Sequence, residues 1–327
     1  MLRRTLGRSG IEVGAIGSGG WAIGGPSWDV EGDSRSPFGW GSVDDEESIR
    51  AIHRALDLGA NLFDTAPPYG AGHSERVLGR ALKGRRTEAV ISTKFAATIN
   101  EDAQEFYRGI DIPMTLEAIR ESCNASLERL QTDYIDVFLL HNGEYEIERA
   151  GEVRDSLETL VKEGKIRWYG WSTDDPARAR VFAEGEHCTA IEFRVNMLYD
   201  APDMLALCEE SNLGGLVKSP LQSGTLTGKF HTGYKFEASD GRSEIDFSDP
   251  RYAERFRQVN ALKEIFVQEG RSMAQAALAW ILTRSPVTIP IPGFKTVSQI
   301  EENIGALRFG LLSPEQMQQV DQVLGRA

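Results

Sequence analysis

Short apolar segments rich in β-branched residues and glycine alternate along the chain with longer segments that have helical patterns. An apolar run of four to eight residues bounded by turn residues is typical of a buried strand. The pattern predicts eight strands, at residues 15–20, 61–66, 89–95, 134–141, 166–172, 190–196, 215–220 and 287–293.

The segments between these strands predict helices, because several open with Asp, Ser or Thr and close at Gly. Strands separated by helices favour a parallel sheet, and eight such units predict an α/β fold of the (β/α)8 TIM-barrel class. No linker divides the chain, so we expect a single domain over residues 1–327. The irregular stretch at about 222–250 is expected to be functional and to move.

One glycine-rich segment, GSGGWAIG at residues 17–24, resembles the start of a dinucleotide fingerprint. Ala22 stands at the third glycine position, and no helix pattern follows. The segment therefore does not predict a Rossmann domain.

Composition excludes several classes of partner. The formal net charge of −13 disfavours nucleic acid and anionic membranes. No apolar run reaches the length of a membrane helix, and the first residues lack the apolar stretch of a secretory signal, so a cytoplasmic location is expected. Three cysteines without a CxxC pair predict neither a disulfide framework nor a zinc site.

Four ionisable side chains follow three consecutive predicted strands. Asp64 and Tyr69 come after the second strand, Lys94 ends the third and His141 ends the fourth. Each has an ordinary structural explanation: a turn cap, a packed aromatic, a solvated lysine or a buried histidine. Since the carboxyl ends of barrel strands converge, all four together indicate an active site.

These side chains suggest a proton-donating site. Lys94 lies within an apolar strand and needs a carboxylate partner, for which Asp64 is the obvious candidate. The ammonium would lower the pKa of Tyr69, which would then donate a proton to an oxygen that develops negative charge. A neutral His141 would orient or polarise the same oxygen. This arrangement predicts carbonyl reduction with a separate hydride source.

The chain resembles the aldo-keto reductases. The resemblance rests on motifs that span nearly the whole chain in order: GSGGW, FDTAPPYGAGHSERVLG, ISTKF, YIDVFLLH, GKIRWYGWST, SPLQSGTLTGKF and IPGFKTVSQIEENI. It implies an NADPH-dependent (β/α)8 barrel that binds its cofactor extended, and a small-molecule carbonyl substrate. The family's catalytic positions correspond to Asp64, Tyr69, Lys94 and His141.

The resemblance also implies a set of cofactor-binding residues. The nicotinamide end would be held by Gly19, Gly20, Trp21 and Asp64, and the segment over the pyrophosphate would contribute Ser219, Pro220, Leu221, Ser223, Gly224, Leu226 and Lys229. Gly293 would follow the eighth strand, Lys295 and Thr296 would meet the 2′-phosphate, and Gln299, Glu302 and Asn303 would hold the adenosine. A lysine at position 295 favours NADPH over NADH.

Three positions depart from the family pattern. Ser172 and Thr173 replace a Ser-Asn pair, Glu192 replaces a glutamine, and Lys218 replaces an aromatic residue that stacks on the nicotinamide. Because the last two changes are opposite in charge and lie on neighbouring predicted strands, we expect Glu192 and Lys218 to form an ion pair beneath the nicotinamide.

The substrate and the oligomeric state do not follow from the sequence. Loop residues that could line an aromatic pocket, or simply pack, are Trp28, Phe38, Trp40, Tyr107 and Asn142. Two other functions compete with carbonyl reduction, and the first of them remains open. Some members of the family are cofactor-sensing regulatory subunits that retain the same four residues. A metal-dependent barrel hydrolase would require histidine clusters, and the five histidines form no HxH or HExxH pattern, so no metal site is predicted.

Overall fold

The computed structural model describes residues 2–107, 112–267 and 270–326. Its strands, in chain order, are β1 (Arg3–Thr5), β2 (Glu12–Gly14), β3 (Ser18–Gly19), β4 (Trp28–Glu31), β5 (Ser34–Pro37), β6 (Leu62–Asp64), β7 (Val90–Phe95), β8 (Thr98–Asn100), β9 (Glu105–Tyr107), β10 (Ile135–Leu140), β11 (Ile166–Ser172), β12 (Cys188–Arg194), β13 (Gly214–Lys218) and β14 (Thr288–Pro290). Its helices are α1 (Asp45–Asp57), α2 (His73–Ala81), α3 (Leu116–Leu130), α4 (Ala150–Lys162), α5 (Pro176–Ala183), α6 (Pro202–Glu210), α7 (Ala253–Val267), α8 (Met273–Arg284), α9 (Val297–Gly305) and α10 (Pro314–Leu324).

Eight parallel strands form one sheet, in the order β3, β6, β7, β10, β11, β12, β13 and β14. The sheet closes into a barrel through a parallel bridge between Gly19 and Gly293. Gly17 N also donates to Pro290 O, and Gly19 N to Pro292 O, both at 2.9 Å. Each of the eight predicted segments overlaps with one of these strands, although β12 and β13 begin two residues and one residue earlier than predicted, so the predicted (β/α)8 barrel is confirmed.

The amino-terminal hairpin of β1 and β2 closes one end of the barrel. Leu6 and Val13 are fully buried against residues of the strands, among them Leu62 and Leu216. Thr189, near the start of β12, donates to Leu6 O at 2.7 Å. Because the hairpin covers the amino-terminal ends of the strands, the cavity of the fold lies at their carboxyl ends, where active sites of this fold lie.

The helices pack their apolar faces on the outside of the barrel. α1 begins after Asp44, whose side chain accepts from the backbone N–H groups of Glu46 and Glu47. Ser272 and Gln275 form a capping box at the start of α8, which is buried around most of its circumference. The three cysteines are free and buried. No helix among the residues described is long and apolar enough to cross a membrane.

A second sheet, which the sequence pattern did not predict, lies at the carboxyl end of the barrel. Its order is β5, β4, β9 and β8, so the loops that follow β3 and β7 supply all of it. Phe38, which follows β5, packs in a tilted arrangement against Trp21, with ring centres 4.7 Å apart, and against Phe106 of β9, at 5.2 Å. Trp21, Phe38 and Phe106 thus form an aromatic wall to which the sheet contributes Phe106.

The long irregular stretch predicted at about 222–250 begins with a short 3-10 helix, Gln222–Thr227. Residues 228–249, here called the strap, then cross the barrel opening around a cluster of aromatic side chains: Phe230, Tyr234, Phe236 and Phe247. Gly241 N donates to Gly39 O at 2.7 Å, and Trp40 forms a bridge with Asp240. The strap is thus fastened to the loop that follows β3.

Candidate active site

A tight turn after β6 positions Tyr69. Tyr69 N donates to Ala66 O at 3.1 Å, and Tyr69 O accepts from Ser74 N at 3.1 Å at the start of α2. Gly70 has φ of +67°, and a Cβ at this position would lie 1.9 Å from Gly24 O. Only glycine fits there, because both the backbone angle and the close approach exclude a side chain. The Tyr69 ring consequently lies 5.0 Å from the ring of Trp21, with 6% of the residue exposed.

Lys94 is fully buried and pairs with Asp64, as predicted. Lys94 Nζ donates to Asp64 Oδ1 at 2.8 Å and to Oδ2 at 2.7 Å. It also lies 3.1 Å from Thr65 O and 3.3 Å from the Tyr69 hydroxyl. β6 and β7 are neighbours, with Asp64 level with Ser92, so the ammonium reaches the carboxylate across adjacent strands.

Glu192 is a second carboxylate at the same ammonium. Its Oε2 atom lies 3.0 Å from Lys94 Nζ, and its Oε1 atom accepts from Ser172 Oγ at 2.9 Å. Lys218 Nζ donates to Ser172 Oγ at 3.2 Å and lies 3.8 Å from Asp174 Oδ1. The predicted direct ion pair between Glu192 and Lys218 is therefore wrong, and the Ser172 hydroxyl bridges them.

The register of the sheet explains this difference. Glu192 is level with Leu216, whereas Lys218 lies two residues further along β13, level with Arg194. Glu192 is 2% exposed, deep in the barrel, while the Lys218 side chain keeps 30% of its surface exposed at the rim.

His141 follows β10 on the other side of Tyr69. The two rings meet edge to face, with centres 6.1 Å apart. Burial, followed by the positive charge of Lys94, lowers the pKa of His141 to about 3. The imidazole is therefore neutral at physiological pH, as expected from the sequence.

The buried charges shift one another's pKa values. Burial raises the pKa of Asp64 to about 7, and the charge of Glu192 adds to this effect against the opposing effect of Lys94. Burial is the largest effect on Glu192 and acts to raise its pKa, but Lys94, Lys218 and His141 together outweigh it, so that the net shift of the pKa is downward. For Lys94, burial acts to lower the pKa, while Asp64 and Glu192 together hold it well above its usual value.

Tyr69 differs from the expectation. Lys94 does favour its ionised form, but burial is the larger effect and raises the pKa of Tyr69 above that of a phenol in water. Asp64 and Glu192 act in the same direction as burial. The phenol is thus protonated, and its neighbouring ammonium is already shared by two carboxylates.

An elongated cavity of about 660 Å³ opens above these groups, within the range of roughly 300–1,000 Å³ that is usual for ligand sites. The predicted residues that line it are Gly19, Trp21, Asp64, Tyr69, His141, Ser172, Glu192, Lys218, Ser219, Pro220, Leu221, Ser223, Gly224, Lys229, Gly293, Lys295, Gln299, Glu302 and Asn303. The cavity therefore extends from the buried charges to the start of α9.

Other predicted residues support the site without lining this cavity. Gly20 N donates to Asp64 O at 2.7 Å, and Thr173 Oγ1 donates to Gly143 O at 2.9 Å. Leu226 is fully buried in the core. Thr296 Oγ1 caps α9 by accepting from Gln299 N. Lys94 contacts Asp64 and Tyr69, which themselves line the cavity.

At the outer end of the cavity, groups that the sequence analysis assigned to the cofactor already form hydrogen bonds within the protein. Lys295 Nζ donates to Ser42 O at 3.0 Å and also to Trp40 O. Val297 N, in the first turn of α9, donates to Glu47 Oε1 at 2.8 Å. One N–H group at the α9 terminus is thus already bonded to a carboxylate from α1.

The strap supplies lining residues that the sequence analysis did not identify: Phe230, Tyr234, Lys235, Phe236, Glu237, Asp240 and Arg242. The Arg242 guanidinium lies 4.3 Å from the ring centres of both Trp40 and Phe236. It also donates to both carboxylate oxygens of Asp240 and to Ser223 O. The only sequence signal for this role was the length of the irregular stretch.

Of the five residues considered for a substrate pocket, Trp40 lines the cavity, at its outer end. Phe38 contributes indirectly, by packing against Trp21, which lines the cavity. Trp28 packs beneath Arg35, Tyr107 donates to Glu105, and Asn142 accepts from Glu144 N within its own loop. Among the residues described, no group of three or more His, Cys, Asp or Glu side chains is placed to hold a metal ion.

Comparison with known proteins gives one consistent family. The model of the aldo/keto reductase family matches residues 15–324. The chain is 32% identical to aldo-keto reductase YhdN of Bacillus subtilis, over 91% of this chain and 86% of that protein. It is 30% identical to a putative voltage-gated potassium channel subunit beta of Schizosaccharomyces pombe, over 98% and 92% of the two chains.

Solved structures that resemble this chain belong to the same family. The glycerol dehydrogenase AKR11B4 from Gluconobacter oxydans superposes with a TM-score of 0.84 at 28% identity, covering 99% of this chain and 95% of that one. An aldo/keto reductase from Klebsiella pneumoniae, in complex with NADP and acetate, gives a TM-score of 0.70 at 25% identity, with coverage of 99% and 96%.

Proposed function

Because the chain belongs to the aldo/keto reductase family, we propose that it reduces the carbonyl group of an aldehyde or ketone to an alcohol, with NADPH as its cofactor. The observation that carries this proposal is the contact of the Tyr69 hydroxyl with the buried Lys94 ammonium, 3.3 Å apart, at the inner end of a long cavity. A protonated phenol next to a fixed positive charge is suited to donate a proton to an oxygen that becomes negative.

The cavity suits an extended dinucleotide. Trp21 Nε1 is buried at its inner end and lacks a hydrogen-bond partner in the part of the chain described. Buried polar atoms are normally paired, so this N–H donor fits an oxygen atom of a bound ligand. Lys229 and Lys295 line the outer half, where they would meet phosphate groups. The NADP complex of the Klebsiella pneumoniae relative supports the same choice of cofactor.

When bound, NADPH supplies a hydride to the carbonyl carbon of the substrate. Tyr69 gives its hydroxyl proton to the carbonyl oxygen, and the C=O double bond becomes a single bond of the alcohol. Lys94 stabilises the charge that this transfer leaves on the Tyr69 oxygen. Asp64 holds Lys94 in place through its two short contacts. Solvent then returns a proton to Tyr69, and the oxidised cofactor and the alcohol leave.

His141 orients the substrate. Because its ring is neutral, one ring nitrogen carries a hydrogen and can donate it to the carbonyl oxygen beside Tyr69. The aromatic wall of Trp21, Phe38 and Phe106 would pack against the apolar part of the substrate. The same site run in reverse would oxidise an alcohol, so the cellular ratio of the two cofactor forms would set the direction.

The test is to follow NADPH absorbance with a panel of aldehydes, ketones and sugars for the wild type and Tyr69→Phe. Loss of a general acid should lower kcat about 10²–10⁴-fold, while NADPH still quenches protein fluorescence on binding. Tyr134→Phe is a matched control, because Tyr134 lies between Arg86 and Arg167 just before β10, at the opposite end of the barrel. Equal activity of the wild type and Tyr69→Phe would exclude the proposed acid.

A second candidate function is regulatory. Similarity to the putative potassium channel subunit beta raises the alternative that the chain binds the cofactor and signals its state to a partner protein. Tight NADPH binding by both proteins with negligible turnover of the whole panel would favour this role. Rapid turnover of several carbonyl compounds would argue against it.

A further inference from the structure

Glu192 gives the buried site one more negative charge than the predicted set of four residues contains. Its Oε2 atom lies 3.0 Å from Lys94 Nζ, and its only hydrogen bond described is accepted from Ser172 by the other oxygen. The resemblance to the family led us to expect an uncharged glutamine here. A carboxylate at this position therefore needs an explanation in terms of the charges around it.

The two carboxylates approach Lys94 from different parts of the barrel wall. Asp64 comes from β6, next to β7, whereas Glu192 comes from β12, which is separated from β7 by β10 and β11. Both residues are almost completely buried, with 3% and 2% exposed. Since charges interact strongly where water is excluded, each carboxylate raises the free energy of placing further negative charge beside Lys94.

Ionised Tyr69 would be a third negative group at the same ammonium. Its oxygen lies 3.3 Å from Lys94 Nζ, the atom that Asp64 and Glu192 already contact. Carbonyl reduction starts from the protonated phenol, whereas alcohol oxidation starts from the phenolate, which must accept the proton. The charge at position 192 therefore acts on the two directions of the reaction differently.

We propose that Glu192 is a positioning residue that acts through Lys94 to keep Tyr69 protonated, so that carbonyl reduction persists to high pH and alcohol oxidation requires a still higher pH. This inference rests on the proposed function for its catalytic consequence. Its physical core, the control of Tyr69 ionisation, does not depend on turnover.

The other charged groups at the site do not remove this effect. Asp64 acts in the same direction as Glu192, and His141 is neutral because its pKa is lowered to about 3. Lys218 is the remaining cation that acts on Glu192. It is partly exposed, and the Ser172 hydroxyl lies between the two side chains. Lys218 also has Asp174 as a second partner. Burial is the largest cause of the raised pKa of Tyr69, and the two carboxylates add to it.

The decisive variant is Glu192→Gln, which removes the charge and keeps the shape. Ionisation of Tyr69 is measured by tyrosinate absorbance, as the difference between Glu192→Gln and Glu192→Gln/Tyr69→Phe, and compared with the same difference in the wild-type background. A nearby charge changes a pKa by roughly 1–3 units, so the Tyr69 titration should move about one pH unit or more to lower pH. The alkaline limit of kcat/KM for reduction should move with it.

Three further variants separate charge from structure. Glu192→Met removes the charge with an apolar side chain and should shift the titration in the same direction, which provides a second test if Glu192→Gln does not fold. Glu192→Asp restores the charge and should return the titration towards the wild type. Glu158→Gln is the matched control. Glu158 lies away from the cavity and accepts a hydrogen bond of 2.6 Å from the Tyr169 hydroxyl, so this variant should leave the Tyr69 titration unchanged.

The outcomes distinguish the two proposals. An unchanged Tyr69 titration in folded, cofactor-binding Glu192→Gln would overturn the inference whether or not the protein reduces carbonyls. Absence of turnover in every protein, together with a shifted titration, would overturn the proposed function and leave the control of Tyr69 by Glu192 intact.

Discussion

Lys295 donates a hydrogen bond to the carbonyl oxygen of Ser42 at 3.0 Å, and this contact ties the loop after β14 to the loop after β3. The sequence had suggested a different role for Lys295, binding of the 2′-phosphate. The two roles are compatible, because an ammonium has three N–H groups and a charge that acts beyond its hydrogen bonds.

Cofactor selectivity separates these roles of Lys295. Lys295→Ala removes the tie to Ser42 for NADPH and NADH alike, but it removes a charged phosphate contact for NADPH alone. A hydrogen bond to a charged group contributes about 1.5–3 kcal/mol, so the Kd for NADPH should rise roughly 10-fold to 100-fold more than the Kd for NADH. Fluorescence titration with both cofactors measures this ratio. Equal losses would show that Lys295 only fastens the loop.

Arg242 should control how quickly the cofactor leaves. Its guanidinium packs between Trp40 and Phe236 and bonds Asp240, so it joins the strap to the loop after β3. Each cation–π contact contributes about 0.5–1 kcal/mol, so Arg242→Ala should accelerate NADPH dissociation by roughly 10-fold in stopped-flow fluorescence.

The matched control for Arg242 is Arg251→Ala. Arg251 lies just beyond the strap, is exposed, and donates to the carboxylate of Asp249. It should leave the dissociation rate unchanged. Identical rates in the wild type, Arg242→Ala and Arg251→Ala would mean that the strap does not limit release.

The stability of the protein should report the unusual titration of Asp64. The pKa of Asp64 is raised to about 7 in the folded protein, against about 3.9 in an unfolded chain. The folded state therefore binds this proton more tightly, and the contribution of Asp64 to the free energy of unfolding decreases as the pH rises from about 4 to about 7. Most paired carboxylates instead have a lowered pKa in the folded protein, and their contribution to the free energy of unfolding increases as the pH rises.

Comparison of the wild type with Asp64→Asn isolates this contribution. The free energy of unfolding is measured by urea denaturation at intervals between pH 4 and pH 8. The difference, wild type minus variant, should fall up to about pH 7 and then level off. Because Asp64 and Glu192 share Lys94, the difference reports the titration of Asp64 together with its interaction with Glu192. A difference that rises with pH would show that Lys94 dominates over burial at Asp64.

The barrel and its charged centre could be predicted from the sequence. Both depend on the local pattern of apolar residues and on the rule that the carboxyl ends of barrel strands converge. Each of the eight apolar runs overlaps with one strand of the barrel, and the convergence of strand ends brings Asp64, Tyr69, Lys94 and His141 together. The partner of Glu192 could not be derived in this way. It depends on how far along its strand each residue lies, and a shift of two residues separates Glu192 from Lys218.

Long-range pairing limits the prediction elsewhere. The second sheet forms because the loop after β3 pairs with the loop after β7, and neither loop contains a strand pattern of its own. The strap likewise has no regular structure, and its position depends on contacts such as that of Gly241 with Gly39. Such contacts join residues far apart in sequence, which no local periodicity records.

The barrel closes where Gly19 meets Gly293, one near each end of the chain. The cavity therefore has one wall from the first barrel strand and another from the segment after the last. During synthesis the first of these segments leaves the ribosome long before the second exists. Loading with a dinucleotide must then wait until both segments have been made, and a nascent chain that lacks the second would have no complete site to fill.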